Sequence, residues 1–262
     1  MIGIFDSGLG GLSVLAAVAQ HLPRADLAYL ADTNHVPYGE KPDDFIRGRV
    51  LAIGRYLVEV HGCTLLVVAC NTATAAALSD LRQQHPGVPV VGVEPGVKPA
   101  AASSRTRHIA VLTTESTARS PRLADLIRHH ARSIQVDIVP CPGWATRVET
   151  LRLDGPVFAA EVRDTVEPLL ATGADRLVLG CTHYSFLAAL LRPLISGRAE
   201  LVDVAEAVAR QVMRLAKDCE NGSARLDLLA TARPERLSAA LPALGLTSLA
   251  SRARGPARQI AT

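Results

Sequence analysis

Two cysteines in this sequence stand where chemistry is expected. One follows the run Leu65-Leu66-Val67-Val68-Ala69-Cys70-Asn71-Thr72, the other Arg176-Leu177-Val178-Leu179-Gly180-Cys181-Thr182-His183. In each, an apolar strand pattern ends in a small residue, a thiol and a polar pair. A thiol just past a buried strand, where a helix begins, meets unpaired backbone N–H groups that favour an anion. Its pKa is expected to fall from the ordinary value of about 8.5, which makes it a nucleophile or a base. At Cys181 the imidazole of His183 offers a route for the proton. The competing reading is a pair of inert buried thiols, since free cysteine is among the most buried residue types. The repetition of one pattern in two places favours chemistry.

Other polar residues also sit after strand patterns. Asp6-Ser7-Gly8-Leu9-Gly10-Gly11 is a turn whose glycines allow close backbone approach to a ligand. Asp6 reads as a base, an orienting carboxylate or a cap. A dinucleotide fingerprint fails there, because Ser13 occupies the place of the third glycine. Asp32-Thr33-Asn34-His35-Val36-Pro37-Tyr38-Gly39 forms an irregular loop in which Tyr38 supplies a hydroxyl, or else an ordinary surface turn. Thr114, Thr117 and Ser120 form a ladder of hydroxyls that either binds a carboxylate or caps a helix starting at Pro121. Glu149, taken alone, reads as a solvated or capping acid. The Cys181-Thr182-His183 spacing does not fit a zinc site, and no second close ligand pair occurs, so no metal is expected. A thiol peroxidase would need a resolving cysteine, and none is local. Cys63, Cys141 and Cys219, with His21, His61, His85, His129 and His130, read as core or surface residues.

The elements that must position these groups alternate. Strand patterns cover 1–5, 27–31, 64–69, 88–93, 108–112, 136–139 and 176–179. Helical patterns cover 12–20, 44–61, 72–85, 121–133, 156–172, 186–191 and 204–217. Residues 100–104 read as a loose connector or a helix end. A polar turn at Asn221-Gly222-Ser223 precedes a last strand and helix. A βαβα rhythm with nearly pure apolar strands implies parallel sheets covered by helices on both faces. Ligands in such sheets bind beyond the carboxyl ends of the strands, where the cysteines lie.

The chain has 262 residues, 48% of them hydrophobic and 20% charged, with a formal charge of +3. That composition is globular and rules out a disordered chain. The dispersed positive charge gives no nucleic-acid footprint. No apolar run approaches the ~20 residues of a membrane helix. The first residues carry no secretory signal. The five cysteines are odd in number and scattered, without a CxxC, so a reducing cytoplasm is expected rather than a disulfide framework.

Taken together, the motifs resemble bacterial glutamate racemase, in the aspartate/glutamate racemase superfamily. They are Ile4-Phe5-Asp6-Ser7-Gly8-x-Gly10-Gly11, Asp32-Thr33…Pro37-Tyr38-Gly39, Ala69-Cys70-Asn71-Thr72-Ala73, Val91-Gly92-Val93-Glu94-Pro95, Thr114-x-x-Thr117-x-x-Ser120, Cys141-Pro142…Glu149 and Gly180-Cys181-Thr182-His183-Tyr184. The Phe5-Asp6-Ser7-Gly8 start looks like the glutamate branch. His35 stands where the family often has arginine, and Pro121 follows Ser120 where many relatives differ.

The resemblance implies two pseudo-symmetric, doubly wound α/β domains with parallel sheets and an active site in the interdomain cleft. The first would comprise residues 1–97 plus 207–262, the second 98–206. The implied activity is cofactor-independent interconversion of L- and D-glutamate, supplying D-glutamate for peptidoglycan. Cys70 would take the proton from D-glutamate and Cys181 from L-glutamate. Asp6 would assist Cys70, and His183 with Glu149 would assist Cys181. Ser7, Pro37, Tyr38, Gly39, Asn71, Thr72, Thr114 and Thr182 would hold the substrate, while the role of Thr117 stays open. A glutamate substrate, no nucleic-acid or membrane partner, and a homodimer as one allowed assembly complete the expectation. Because the chain begins almost directly at its first strand, activation by a cell-wall precursor through a long N-terminal extension is not expected.

Overall fold

The computed structural model describes residues 1–216 and 221–262. Lys217, where the sequence pattern ends its helix, and Cys219 lie outside the described residues.

In chain order the strands are β1 (Ile2–Asp6), β2 (Leu27–Ala31), β3 (Leu65–Val68), β4 (Val90–Gly92), β5 (His108–Thr113), β6 (Gln135–Pro140), β7 (Arg176–Leu179), β8 (Glu200–Val202), β9 (Leu226–Ala230) and β10 (Arg258–Gln259). The α-helices are α1 (Leu12–His21), α2 (Asp43–Arg55), α3 (Asn71–Gln84), α4 (Val97–Ser103), α5 (Glu115–Arg119), α6 (Pro121–His130), α7 (Trp144–Glu149), α8 (Pro156–Ala171), α9 (Ala188–Ile195), α10 (Ala205–Leu215), α11 (Pro234–Ala243) and α12 (Thr247–Arg252).

Two parallel sheets result. One has the order β10-β9-β2-β1-β3-β4, the other β6-β5-β7-β8. The second order repeats the β2-β1-β3-β4 part of the first. Strands β3 and β7, which precede Cys70 and Cys181, therefore occupy equivalent places. In both sheets the order reverses beside the first strand of the unit, which is where crevices open in doubly wound folds.

Period-two alternation explains why the central strands β1, β3 and β7 are almost wholly apolar. Ile2, Ile4, Leu65 and Val67 enter one core, and Phe5, Leu66 and Val68 enter another on the opposite face. In the second sheet Ala110, Leu112, Leu177 and Leu179 face one core, and Ile109, Val111 and Val178 face the other. For the central strands β1, β2, β3, β5 and β7 both faces are buried, so these strands need no polar side, whereas the edge strands β6, β8 and β10 are partly exposed. After β8 the chain returns to the first sheet: Val208, Ala209 and Val212 of α10 join the core that contains α1.

Several boundaries differ from the sequence pattern. The helix expected over 44–61 is α2 followed by a π-helical stretch, Tyr56–Val60. The stretch read as a connector or helix end at 100–104 is the C-terminal part of α4, with Val97 and Ala100 buried against the second sheet. The helix expected over 186–191 is divided between a 3-10 helix, Thr182–Leu187, and α9. Short strands such as β8 and β10 give little periodicity to detect.

Candidate active site

Cys70 is the N-cap of α3, and its sulfur accepts a hydrogen bond from Ala73 N at 3.5 Å. Its side chain also lies 4.0 Å from Ser7 Oγ. Cys181 is the residue before the 3-10 helix that begins at Thr182. Both thiols are nearly sealed from solvent, at 6% and 8% exposure. They are close enough for charge on Cys181 to push the Cys70 pKa upward.

The lowered pKa expected at Cys70 is not what the structure gives. Burial, then the carboxylate of Asp6, drive this thiol well above its ordinary range, and the Ala73 N–H offsets only part of that. One N–H at a helix start cannot compensate for lost water plus a neighbouring anion. The thiol instead hydrogen-bonds to Asp6. Asp6 is itself fully buried. It is fastened by Ser7 N at 2.7 Å and by Gly11 N, while Thr182 Oγ1 of the second half lies 3.4 Å away. Burial raises its pKa, partly countered by the charge of His183.

Around Cys181 the arrangement is different. His183 Nδ1 lies 3.6 Å from the sulfur, and Nε2 lies 2.6 Å from Glu149 Oε1. That same carboxylate oxygen accepts a hydrogen bond from Leu9 N of the first half at 2.6 Å. Burial alone would lower the His183 pKa, but the bond to Cys181 and the pairing with Glu149 raise it well above the ordinary value. The raised pKa favours an imidazolium that donates on both sides, toward Cys181 and toward Glu149. Glu149, read from sequence as a solvated or capping acid, is the last residue of α7 and a largely buried link between the two halves.

Glycine is required where the halves meet. A Cβ at Gly8 would collide with the Glu149 carboxylate, and one at Gly10 with the His183 ring. The glycine turn thus accommodates the side chains of the opposite half.

The expected substrate donors are brought together in part. Thr72 Oγ1 lies 3.3 Å from both Thr114 Oγ1 and Thr117 Oγ1, which joins α3 to α5 across the seam. Thr114 also caps α5 and Ser120 caps α6, so the hydroxyl ladder does both things the sequence allowed. Gly39 packs against Thr114. Asn71 is 5% exposed, yet among the described residues neither its amide oxygen nor its nitrogen has a hydrogen-bond partner. The hydroxyl of Tyr38 donates to Asp32 Oδ2 at 2.6 Å. Asp32, in turn, receives Arg49 on both oxygens, at 2.9 and 3.0 Å. Arg49 was not foreseen, since a contact between a helix and a distant loop leaves no linear signal.

Two cavities lie along the seam. One, of about 520 Å³, is lined by Gly39, Lys41, Thr72, Glu115, Arg119 and Ser120 among others. The other, of about 260 Å³, is bounded by Pro37, Gly39, Thr114, Cys141 and Tyr184. Cys70 and Cys181 line neither of these two cavities. Cys141 is another buried thiol, pushed up to about 12 by burial, and its sulfur donates to Val139 O at 3.4 Å.

Comparison with known proteins gives one family and one fold. Residues 11–212 match the family model described as Asp/Glu/Hydantoin racemase. Glutamate racemase of Ectopseudomonas mendocina (strain ymp) is 48% identical over 214 residues, 82% of this chain and 81% of that protein. Among solved structures, Escherichia coli glutamate racemase in complex with L-glutamate and the activator UDP-MurNAc-Ala superposes with a TM-score of 0.83 at 31% identity, covering 93% of this chain and 94% of that one. A glutamate racemase isoform from Bacillus anthracis gives a TM-score of 0.86 at 26% identity, over 100% and 97% of the two chains.

Proposed function

The chain belongs to the Asp/Glu/Hydantoin racemase family and racemises glutamate, and from that premise we propose that Cys70 and Cys181 are its two acid/base groups. The observation that carries this reading is their equivalence. Each follows the corresponding strand of a repeated sheet order, each is buried at the seam, and each has its own polar partners. Racemisation needs a base on one face of Cα and an acid on the other, and a duplicated unit facing itself supplies both without moving the substrate.

The protonation pattern sets a direction. The Cys181 sulfur faces an imidazolium and is arranged to remove the α-proton of L-glutamate. Cys70, held as a thiol beside Asp6, delivers its proton to the opposite face and leaves as thiolate. The product is D-glutamate, and the reverse reaction exchanges the roles. His183, held by Glu149, and Asp6 are the residues that tune the two sulfurs.

The carbanion is stabilised by neutral donors that are already in place before reaction. Ser7, Asn71, Thr72, Thr114 and Thr182, with the Pro37-Tyr38-Gly39 backbone, would hold the two carboxylates. The unpartnered amide of Asn71 supports this, because a buried polar group without a partner costs about 1–3 kcal/mol, and a bound carboxylate would supply one. Neither a cofactor nor a metal enters these steps. The two-domain division at 1–97 plus 207–262 and 98–206, a cytoplasmic location and a supply of D-glutamate for peptidoglycan belong to the same reading. No helix among the described residues is long and apolar enough to cross a membrane.

The test is incubation of D-glutamate with the purified enzyme in deuterated water, without additives. The expected result is L-glutamate carrying deuterium at Cα. Absence of both exchange and inversion would refute the proposal.

A further inference from the structure

Tyr29 lies in the middle of β2, in a strand that is otherwise wholly apolar. Its side chain is fully buried, and its hydroxyl donates to Gly8 O at 2.6 Å. The next residue along the turn, Leu9, donates its N–H to Glu149 Oε1 at 2.6 Å. Glu149 Oε1 lies 2.6 Å from His183 Nε2, and His183 Nδ1 lies 3.6 Å from Cys181 Sγ. A continuous series of short contacts therefore runs from the core of the first sheet to the sulfur of the second half.

We propose that Tyr29 is a positioning residue for the Cys181 half of the reaction, acting through Gly8, Leu9, Glu149 and His183. The inference rests on the two-thiol reading above. The turn that carries Leu9 contains Gly8 and Gly10, which lack side chains to brace it, and a hydroxyl on the Gly8 carbonyl fixes the peptide that presents Leu9 N–H. The hydroxyl is available for this at any working pH, because burial and then the charge of Asp6 raise its pKa well above the ordinary range. Ring and hydroxyl divide the labour: the ring fills the core beneath α1, and the oxygen fixes the turn. A tyrosine serving only as core filler would not need its oxygen on the one carbonyl adjoining the Glu149 donor.

Tyr29→Phe keeps the ring and removes only that oxygen. The groups facing His183 are Cys181 on its own segment, Glu149 from α7 and Asp6 from β1. Loss of the oxygen should lower kcat about tenfold or more, since small misplacements of acid/base groups are costly. KM should change by less than about twofold. The high-pH limb of the kcat profile should move to lower pH, because a looser Glu149 stabilises the imidazolium less. In the Glu149→Gln background the same substitution should have little further effect, as expected for groups acting in series.

Unchanged kcat and pH profile in folded Tyr29→Phe, or full additivity with Glu149→Gln, would overturn the inference. A measurement on the unsubstituted Tyr29 covers poor folding of the variant. With the tyrosines labelled at the phenol carbon and the other three assigned by substitution, the Tyr29 resonance should move when Glu149→Gln is introduced. An indifferent resonance would also overturn it. Wild-type turnover in the same assay separates the two readings: an inactive wild type refutes the racemase mechanism, whereas an active wild type with an unaffected variant refutes only the role of Tyr29.

Discussion

Cys181 Sγ and His183 Nδ1 lie 3.6 Å apart, and the far nitrogen of the ring is held by Glu149 at 2.6 Å. Among the described residues, Cys70 has no imidazole hydrogen-bond partner and is instead set beside Asp6. The two sulfurs are equivalent in topology and unlike in electrostatics, and the predictions below follow from that difference.

Serine at either position keeps size and hydrogen bonding but loses the acidity of the thiol. Cys70→Ser and Cys181→Ser should each lower racemisation by at least about 10²-fold, the usual scale of positioned acid/base groups. Either variant can still exchange the α-proton of one enantiomer. Undiminished turnover in one variant, followed by circular dichroism, would remove that sulfur from the mechanism.

The pH dependence follows from His183. Its pKa is raised in the folded protein, so its contribution to stability is complete below the unfolded value of about 6.5 and is lost as pH rises through the folded value. Turnover of L-glutamate should decline over that same upper range. Asp32 behaves oppositely. Burial would raise its pKa, but hydrogen bonds from Arg49, Tyr38, His35 and Thr231 bring it below the ordinary value. Its contribution is present above about 3.9 and is lost as pH falls through the depressed value. Chemical denaturation measured across pH would show both limbs, and Arg49→Met should weaken the acidic one.

Gly10→Ala places a methyl group against the His183 ring. The first sheet does not depend on that methyl's absence, so melting should shift little while the halves are kept apart. A fall in kcat/KM of about a hundredfold is expected from a displacement near 1 Å. Normal kinetics would mean that the seam seen here is not the reacting arrangement.

Asn71→Leu replaces the unpartnered amide with an apolar group of similar shape. The unliganded protein should gain up to about 1–3 kcal/mol, because the desolvation cost of two orphaned polar atoms disappears. KM for glutamate should rise, by roughly tenfold for each 1.4 kcal/mol of lost binding. Thermal melts with and without D-glutamate measure both effects. A variant with lower stability and unchanged KM would make Asn71 a structural residue.

Much of this site was legible in the linear chain. Cys70 and Cys181 stood out because strand, small residue and thiol recurred, and Asp6 because it follows a strand that is buried at every position. Glu149 and Thr117 were not legible in the same way. An acid at a helix end and a threonine near a cap have ordinary local explanations, and only the opposite half of the molecule gives them another. Arg49 and Tyr29 carried no signal at all, for each acts on a partner brought near by sheet and helix packing.

Sequence alone determined the parallel α/β class, the places of the two thiols and the family resemblance, because periodicity and motif order are properties of local chain chemistry. The tertiary structure decided which groups are charged. Burial and the Asp6 carboxylate, not the helix start, set the Cys70 thiol high, while Cys181 and Glu149 outweigh burial and raise the His183 pKa, and those fields exist only once the two halves have closed on each other.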